Sequence, residues 1–317
     1  MKRFVFSLAF AISLAACGND DVSTVDTDTG VDAPTDDVGT DAAVDVSTDT
    51  AEADAEPDIE EVQTPDLRSY TGETCPVLGA GTNDIVSSGA DRQVELYLPP
   101  DVENAPVVFF WYGAGGSGQT YEWMQPFADA YGVVIVVPRA AANMAFEWPI
   151  ISTNNPANEL VYFDDVIRCV SESLPVDTSR IYTSGFSAGA LWSTVLVMHR
   201  SDVLASAVIF SGGTGALVQA YETPDVQIPI LGMYGGESDV FGGLVNFKDT
   251  MTDFMDGLVG DGHLIIACNH DLGHTIPNGG LDWGIEFLLA HQFGDTSSPF
   301  DAQLPSYLPG YCNYWGE

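Results

Sequence analysis

Cations are scarce in this chain. Nine Lys and Arg stand against 46 Asp and Glu, a formal charge of −37. From Leu67 onward the only ones are Arg68, Arg92, Arg139, Arg168, Arg180, Arg200 and Lys248. A surface this acidic repels nucleic acid, other polyanions and anionic membrane, which excludes binding functions built on phosphate contacts and points to a ligand that is neutral at its reacting end. Cysteines number five, and none is in C-x-x-C spacing; Cys268-Asn269-His270 offers a lone pair of ligands, too few for a metal. No metal and no cofactor is expected. Gly18 to Asp66 contains no aromatic residue, no Lys and no Arg. With so little to bury, that stretch of Asp, Thr, Val, Ala and Ser reads as a disordered acidic linker, and it has neither a fixed period nor the Asp-x-Asp-x-Asp-Gly loop of a calcium site.

The amino terminus supplies an address. Met1-Lys2-Arg3 is a basic start, and the apolar stretch from Phe4 to Ile12 is too short to span a bilayer. It runs into Leu14-Ala15-Ala16-Cys17, which resembles the lipobox of bacterial lipoproteins, whose cysteine is lipidated. Residues 1–17 are therefore expected to be a lipoprotein signal, 18–66 a linker and 67–317 a single catalytic body. The implied location is the cell envelope, with the outer membrane favoured because Gly18 and not Asp follows the cysteine, or release outside the cell. The expected molecule is a monomer that touches the membrane through its lipid alone. Cys75, Cys169, Cys268 and Cys312, in an exported body, predict two disulfides of open connectivity, with Cys312 pinning a loop-rich tail.

Within the body, short apolar runs alternate with helix-length stretches. Arg92–Leu98 alternates as an antiparallel strand does, whereas residues 107–111, 133–137, 181–183, 207–210, 228–234 and 263–267 are continuously apolar. Helices are expected near 120–131, 159–173, 188–199, 244–257 and 281–293. Continuous apolar strands between helices predict an α/β fold, a mostly parallel twisted sheet covered on both faces. Ligands of such sheets gather at the carboxyl ends of the strands.

At one such end lies Gly185-Phe186-Ser187-Ala188-Gly189, preceded by a strand and followed by a helix. G-x-S-x-G in this setting reads as a nucleophile elbow. A serine hydroxyl needs a base, and the base an orienting carboxylate. Of five histidines, His199 and His291 close helices and His263 begins a strand; His270 and His274 lie in the loop after the last strand. Gly273 lets the chain bring a ring over the serine, so His274 is preferred to His270. Asp239, in the loop after the preceding strand, is preferred to Glu237 as the acid. The oxyanion donors are expected to be the amides of Ala188 and of Ala114, the latter in the glycine-rich loop Tyr112-Gly113-Ala114-Gly115-Gly116-Ser117-Gly118. Cleft walls are expected from Met144–Trp148 and from the loop 212–227, without a large lid.

Arg92–Pro99, that glycine loop, Val137-Pro138, Trp148, Asp164-Asp165-Val166, Val176–Tyr182, Gly185–Ala190 and Gly273-His274 together resemble the secreted polyhydroxybutyrate depolymerase and feruloyl or acetyl-xylan esterase group, carbohydrate esterase family 1 and its relatives. The resemblance implies the α/β-hydrolase fold, the triad Ser187, Asp239 and His274, a hole from Ala114 and Ala188, and Tyr112 and Trp148 as substrate-binding residues. The family usually carries His-Gly where Tyr112-Gly113 stands here, which bears on how the loop is anchored. The implied activity is hydrolysis of a neutral ester, polymeric ones included. The rivals are a serine peptidase or acyltransferase of the same fold, or a catalytically inactive binding lipoprotein.

Overall fold

A computed structural model describes residues 62–142 and 144–316. These fall within the compact unit Ile59–Glu317. The expected signal, Cys17 and the linker as far as residue 61 lie outside the described residues. Pro65 is buried, and the side chain of Gln63 lies against Gly294, so packing already begins a few residues before Leu67.

Eleven strands are described. Nine of them form one sheet: β1 (Gly81–Ser87), β2 (Ala90–Tyr97), β3 (Val107–Trp111), β4 (Val134–Pro138), β5 (Ile181–Phe186), β6 (Ser206–Phe210), β7 (Ile230–Tyr234), β10 (Ile265–Asn269) and β11 (Cys312–Tyr314). Their order is β1-β2-β4-β3-β5-β6-β7-β10-β11. The six from β4 to β10 run parallel, while β1, β2 and β11 are antiparallel at the edges. β8 (Val240–Phe241) and β9 (Val245–Asn246) make a separate small hairpin. Every residue of β3, β4, β6 and β7 is buried, because these central strands are covered on both faces. At the edge, β1 keeps only Ile85 and Ser87 buried, and its polar outward positions hide it from a reading based on apolar runs.

The helices are α1 (Gln125–Tyr131), α2 (Ala157–Ser173), α3 (Ala188–Arg200), α4 (Phe247–Gly260) and α5 (Gly280–Leu289). Two helices pack on the Phe109 and Trp111 side of β3. Phe163 of α2 meets Phe109 with ring centres 4.7 Å apart, and Trp192 of α3 meets Trp111 edge-on at 6.0 Å. Phe127 of α1 and Leu281 and Leu288 of α5 line a small apolar gap on the opposite side with Val108 and Phe110. The chain leaves β3 toward β4 on one side and β5 toward β6 on the other, so the carboxyl ends of β3 and β5 flank the crevice where strand order reverses.

Two disulfides settle the pairing: Cys75–Cys169 ties the segment before β1 to α2, and Cys268–Cys312 ties β10 to β11. The second holds the carboxyl-terminal tail on the sheet edge. Asp165, fully buried in α2, accepts from the Thr71 N–H at 2.7 Å, the Thr71 hydroxyl at 2.6 Å and the Ser87 hydroxyl at 2.6 Å. Arg68, Arg92, Arg139, Arg168, Arg180, Arg200 and Lys248 are each ion-paired within the body. None is left unpaired to attract an anionic ligand.

Candidate active site

Ser187 sits between the last residue of β5 and the first of α3, with φ 59° and ψ −122°. That is a strained conformation for a residue with a Cβ. It persists because the surroundings hold both sides: the Ser187 N–H donates to the Phe210 carbonyl at 3.0 Å, and its own carbonyl accepts from Leu191 at 2.9 Å. The glycines of the motif answer to packing. A Cβ on Gly189 would lie 1.9 Å from the Trp111 carbonyl oxygen, and one on Gly185 would lie 2.5 Å from the Gly189 oxygen. The first turn of α3 is thereby pressed onto the end of β3.

Ser187, His274 and Asp239 meet in one hydrogen-bonded line. His274 Nε2 is 2.8 Å from Ser187 Oγ, and His274 Nδ1 is 2.7 Å from Asp239 Oδ1. Asp239 is fully buried; its Oδ2 accepts from the Ser211 hydroxyl at 2.8 Å and the Gly235 N–H at 2.8 Å. With both carboxylate oxygens engaged, Asp239 cannot rotate, and Nδ1 of His274 carries the proton that faces it. The acid loop and the base loop touch directly. The Gly273 N–H donates to the Gly235 carbonyl at 3.0 Å, and a Cβ on Gly235 would lie 1.9 Å from the Gly273 oxygen. The imidazole is sandwiched between Phe247, 4.5 Å away and nearly parallel, and Phe186 at 4.8 Å.

The competing residues stand elsewhere. His270 is buried, its Nδ1 accepts from the Leu272 N–H at 3.2 Å, and burial pushes its pKa down. Glu237 is exposed and pairs with Lys248.

The glycine loop passes directly over the serine: a Cβ on Gly113 would lie 3.1 Å from Ser187 Cβ. Ala114 follows, and its N–H takes part in none of the backbone bonds of the described residues. Ala188, as the first residue of α3, has no intrahelical acceptor for its N–H. Both amides are thus available, and the positive end of α3 lies behind them. The loop is held from three sides. Glu147 accepts from the Gly115 N–H at 2.8 Å and the Ser117 hydroxyl at 3.3 Å. Arg139, paired with Glu95, donates to the Gln119 carbonyl at 2.9 Å. The Tyr121 hydroxyl donates to the Gly116 carbonyl at 3.1 Å.

Tyr112 and Trp148 require a correction. Both are buried, at 2% and 0% exposure, and neither ring reaches the surface over Ser187. They build the loop. The Tyr112 hydroxyl accepts from the Ala140 N–H at 2.8 Å, and Trp148 Nε1 donates to the Tyr112 carbonyl at 2.9 Å. Tyr112 is therefore itself an anchor of the loop. Two residues, Ser211 and Phe241, carry no reading in the sequence, whereas Phe146 lies in the expected cleft wall Met144–Trp148. Ser211 holds the second edge of Asp239. Phe146 and Phe241, each 42% exposed, meet edge-on at 6.2 Å, and Phe241 is 6.5 Å from His274. A signal existed for the last: Val240-Phe241-Gly242-Gly243-Leu244-Val245 is a hairpin pattern, apolar on either side of paired glycines.

No protein-family model matches the chain. It is 26% identical over 148 residues to feruloyl esterase B of Talaromyces stipitatus, a match over 43% of this chain and 41% of that protein. It is 25% identical over 171 residues to the bifunctional acetylxylan esterase/xylanase XynS20E of Neocallimastix patriciarum, covering 51% of this chain and 24% of that one. The chain thus spans less than half the length of these curated relatives. Among solved structures, native sOPH superposes with a TM-score of 0.60 at 17% identity over 78% of this chain and 97% of that chain. FphF, a fluorophosphonate-binding serine hydrolase of Staphylococcus aureus, superposes with a TM-score of 0.51 at 16% identity over 67% and 99%. The fold is that of the α/β-hydrolases.

Proposed function

We propose that this chain is a serine carboxylic ester hydrolase that works through Ser187, His274 and Asp239. The observation that carries the reading is the unbroken line from the Ser187 hydroxyl through His274 to Asp239, at 2.8 Å and 2.7 Å, beside two unused backbone N–H groups. His274 Nε2 takes the Ser187 proton as Oγ attacks the ester carbonyl. The oxyanion forms against the amides of Ala114 and Ala188, and the imidazolium is stabilised by Asp239. His274 then delivers the proton to the departing alkoxide, leaving an acyl-serine. Water, deprotonated by the same ring, repeats the attack and frees the acid. The similarity to feruloyl and acetylxylan esterases supports esters as the substrate class.

Phe146 and Phe241 form the exposed rim beside His274, a surface suited to an apolar group of the substrate. The pairing of every cation in the body supports a neutral substrate. Two disulfides support maturation in an oxidising compartment. No helix among the described residues is long and apolar enough to cross a membrane. Attachment through a lipidated Cys17, leaving the body as a monomer at the envelope surface, completes the proposal.

The test is turnover of p-nitrophenyl acetate beside an aminoacyl anilide, with a fluorophosphonate label mapped to its peptide. Ester cleavage, labelling at Ser187 and no anilide cleavage are expected. Labelling elsewhere, or wild-type turnover in Ser187→Ala, would refute the assignment.

A further inference from the structure

A second cleft opens at the sheet edge, between α4 and strands β7, β10 and β11, with a volume of about 430 Å³. Its walls are chemically mixed. Tyr311 and Trp315 contribute aromatic surface, while Asp256, Asn269 and Asn313 contribute polar ends. Several of those polar groups have no protein partner among the described residues. They are the hydroxyls of Tyr234 and Tyr311, the Asn313 amide and the NH₂ of Asn269, whose oxygen accepts from the Asp271 N–H. Tyr234 lines the cleft at 5% exposure, and its hydroxyl has no acceptor among the described residues. Trp315 is fixed in place, its Nε1 donating to Asp256 at 2.8 Å and its N–H to the Ile265 carbonyl at 3.0 Å. The Cys268–Cys312 bridge clamps the tail that forms this wall.

The wall chemistry selects the ligand. No Lys, Arg or His lines the cleft and one carboxylate does, so an anion is disfavoured. The density of polar groups makes the cleft poor for hydrocarbon, since burying them without partners is costly. Aromatic faces combined with planar amides match a ring that presents C–H bonds on its faces and hydroxyls around its rim, where each amide can both donate and accept. We propose that this cleft is a binding site for a neutral saccharide unit.

Its position gives the site a use. Tyr234 directly precedes Gly235, which donates to Asp239, and the His270 N–H donates to the Tyr234 carbonyl at 3.0 Å. Asn269 opens the same loop that carries His274. A saccharide chain seated here is held on the outer side of the two loops that position the acid and the base. That use deepens the ester-hydrolase reading and rests on it; the binding itself does not.

The experiment is calorimetric titration of the full chain carrying Ser187→Ala with xylohexaose, cellohexaose and mannohexaose, and separately with a neutral hexapeptide. Saturable binding of at least one saccharide is expected. Asn313→Ala and Tyr311→Ala, each introduced on its own, should weaken that binding by about tenfold. In the chain with Ser187 intact, the same changes should leave turnover of p-nitrophenyl acetate within about twofold. Absence of binding by all three saccharides, binding of the peptide alone, or affinity unchanged in both variants would overturn the proposal. Normal ester turnover without saccharide binding would sink this site and spare the hydrolase reading. Saccharide binding by a chain inert toward every ester would do the reverse.

Discussion

The Ser211 hydroxyl donates to Oδ2 of Asp239 at 2.8 Å, on the edge of the carboxylate opposite the one that faces His274. Ser211 is fully buried at the end of β6, held at φ 57°, and its N–H donates to the Met233 carbonyl at 2.8 Å. It acts only through the aspartate, as a positioning residue. Ser211→Ala should reduce kcat by about tenfold, in line with the loss of one hydrogen bond to a charged group. KM should stay close to wild type while the fold remains intact. An unchanged kcat would remove Ser211 from the machinery.

Ser187→Ala should lower kcat for p-nitrophenyl acetate by at least about 10³-fold, because the attacking atom is gone while the amides and helix end remain. Thermal melting should show a folded chain. Stopped assays on both proteins, with the label as a second readout, check this.

Glu147→Gln tests whether the glycine loop is placed by that carboxylate. The Gly115 N–H and the Ser117 hydroxyl would lose a charged acceptor, and the Ala114 amide would lose its fixed aim. A fall in kcat of about 10-fold to 100-fold with little change in KM is expected, short of the full loss of an oxyanion donor. A rise in KM alone would place Glu147 in substrate binding instead.

His291 supplies a pH dependence of stability. It is fully buried, Nδ1 faces the Phe287 carbonyl at 2.8 Å, and Nε2 faces the Ser298 hydroxyl at 2.8 Å. Burial pushes its pKa down from the ordinary value near 6.5 to about 4, against the smaller upward pull of Asp295 and Asp301. The folded state thus holds the ring neutral while the unfolded chain takes up a proton. Its contribution is complete above about pH 6.5 and is lost as pH falls toward 4, with no further change below. His291→Gln should flatten the decline in urea midpoint across that window. An identical decline would assign the acid sensitivity to other groups.

Cys75→Ser with Cys169→Ser opens a loop of 94 residues far from the triad. A loss of about 2–4 kcal/mol is expected, read from a lower urea midpoint together with a steeper slope as the denatured chain expands. Well below the transition, kcat should be retained.

The sequence made the core strands legible because strands covered on both faces have no polar alternation, as in β3, β4 and β6. The elbow was legible because its glycines answer to backbone contacts that no other residue tolerates. His274 and Asp239 followed from chain order. Edge strands β1 and β11 escaped notice, since one face of each is wet or the strand is too short to show a period. Ser211 escaped because a serine after a strand carries no signal of the carboxylate it will meet. Tyr112 and Trp148 were expected at the substrate through the resemblance alone, which says nothing of how a ring packs. Here Trp148 instead packs edge-on against Trp111 at 5.0 Å, and Tyr112 stacks on Tyr121 at 5.3 Å. Disulfide partners depended on which strands become neighbours, information held by the whole sheet.

The small hairpin β8–β9 leaves the body immediately after Asp239 and returns at Phe247, whose N–H donates to the Asp239 carbonyl at 2.8 Å. Its root is therefore locked to the acid and to the ring that stacks on His274, whereas a side chain placed at its tip, at Gly242 or Gly243, would enter open space. Reach and reactivity are thereby uncoupled. Residues grafted between the two glycines can extend over the rim toward bulkier esters, and the proton relay beneath keeps its geometry.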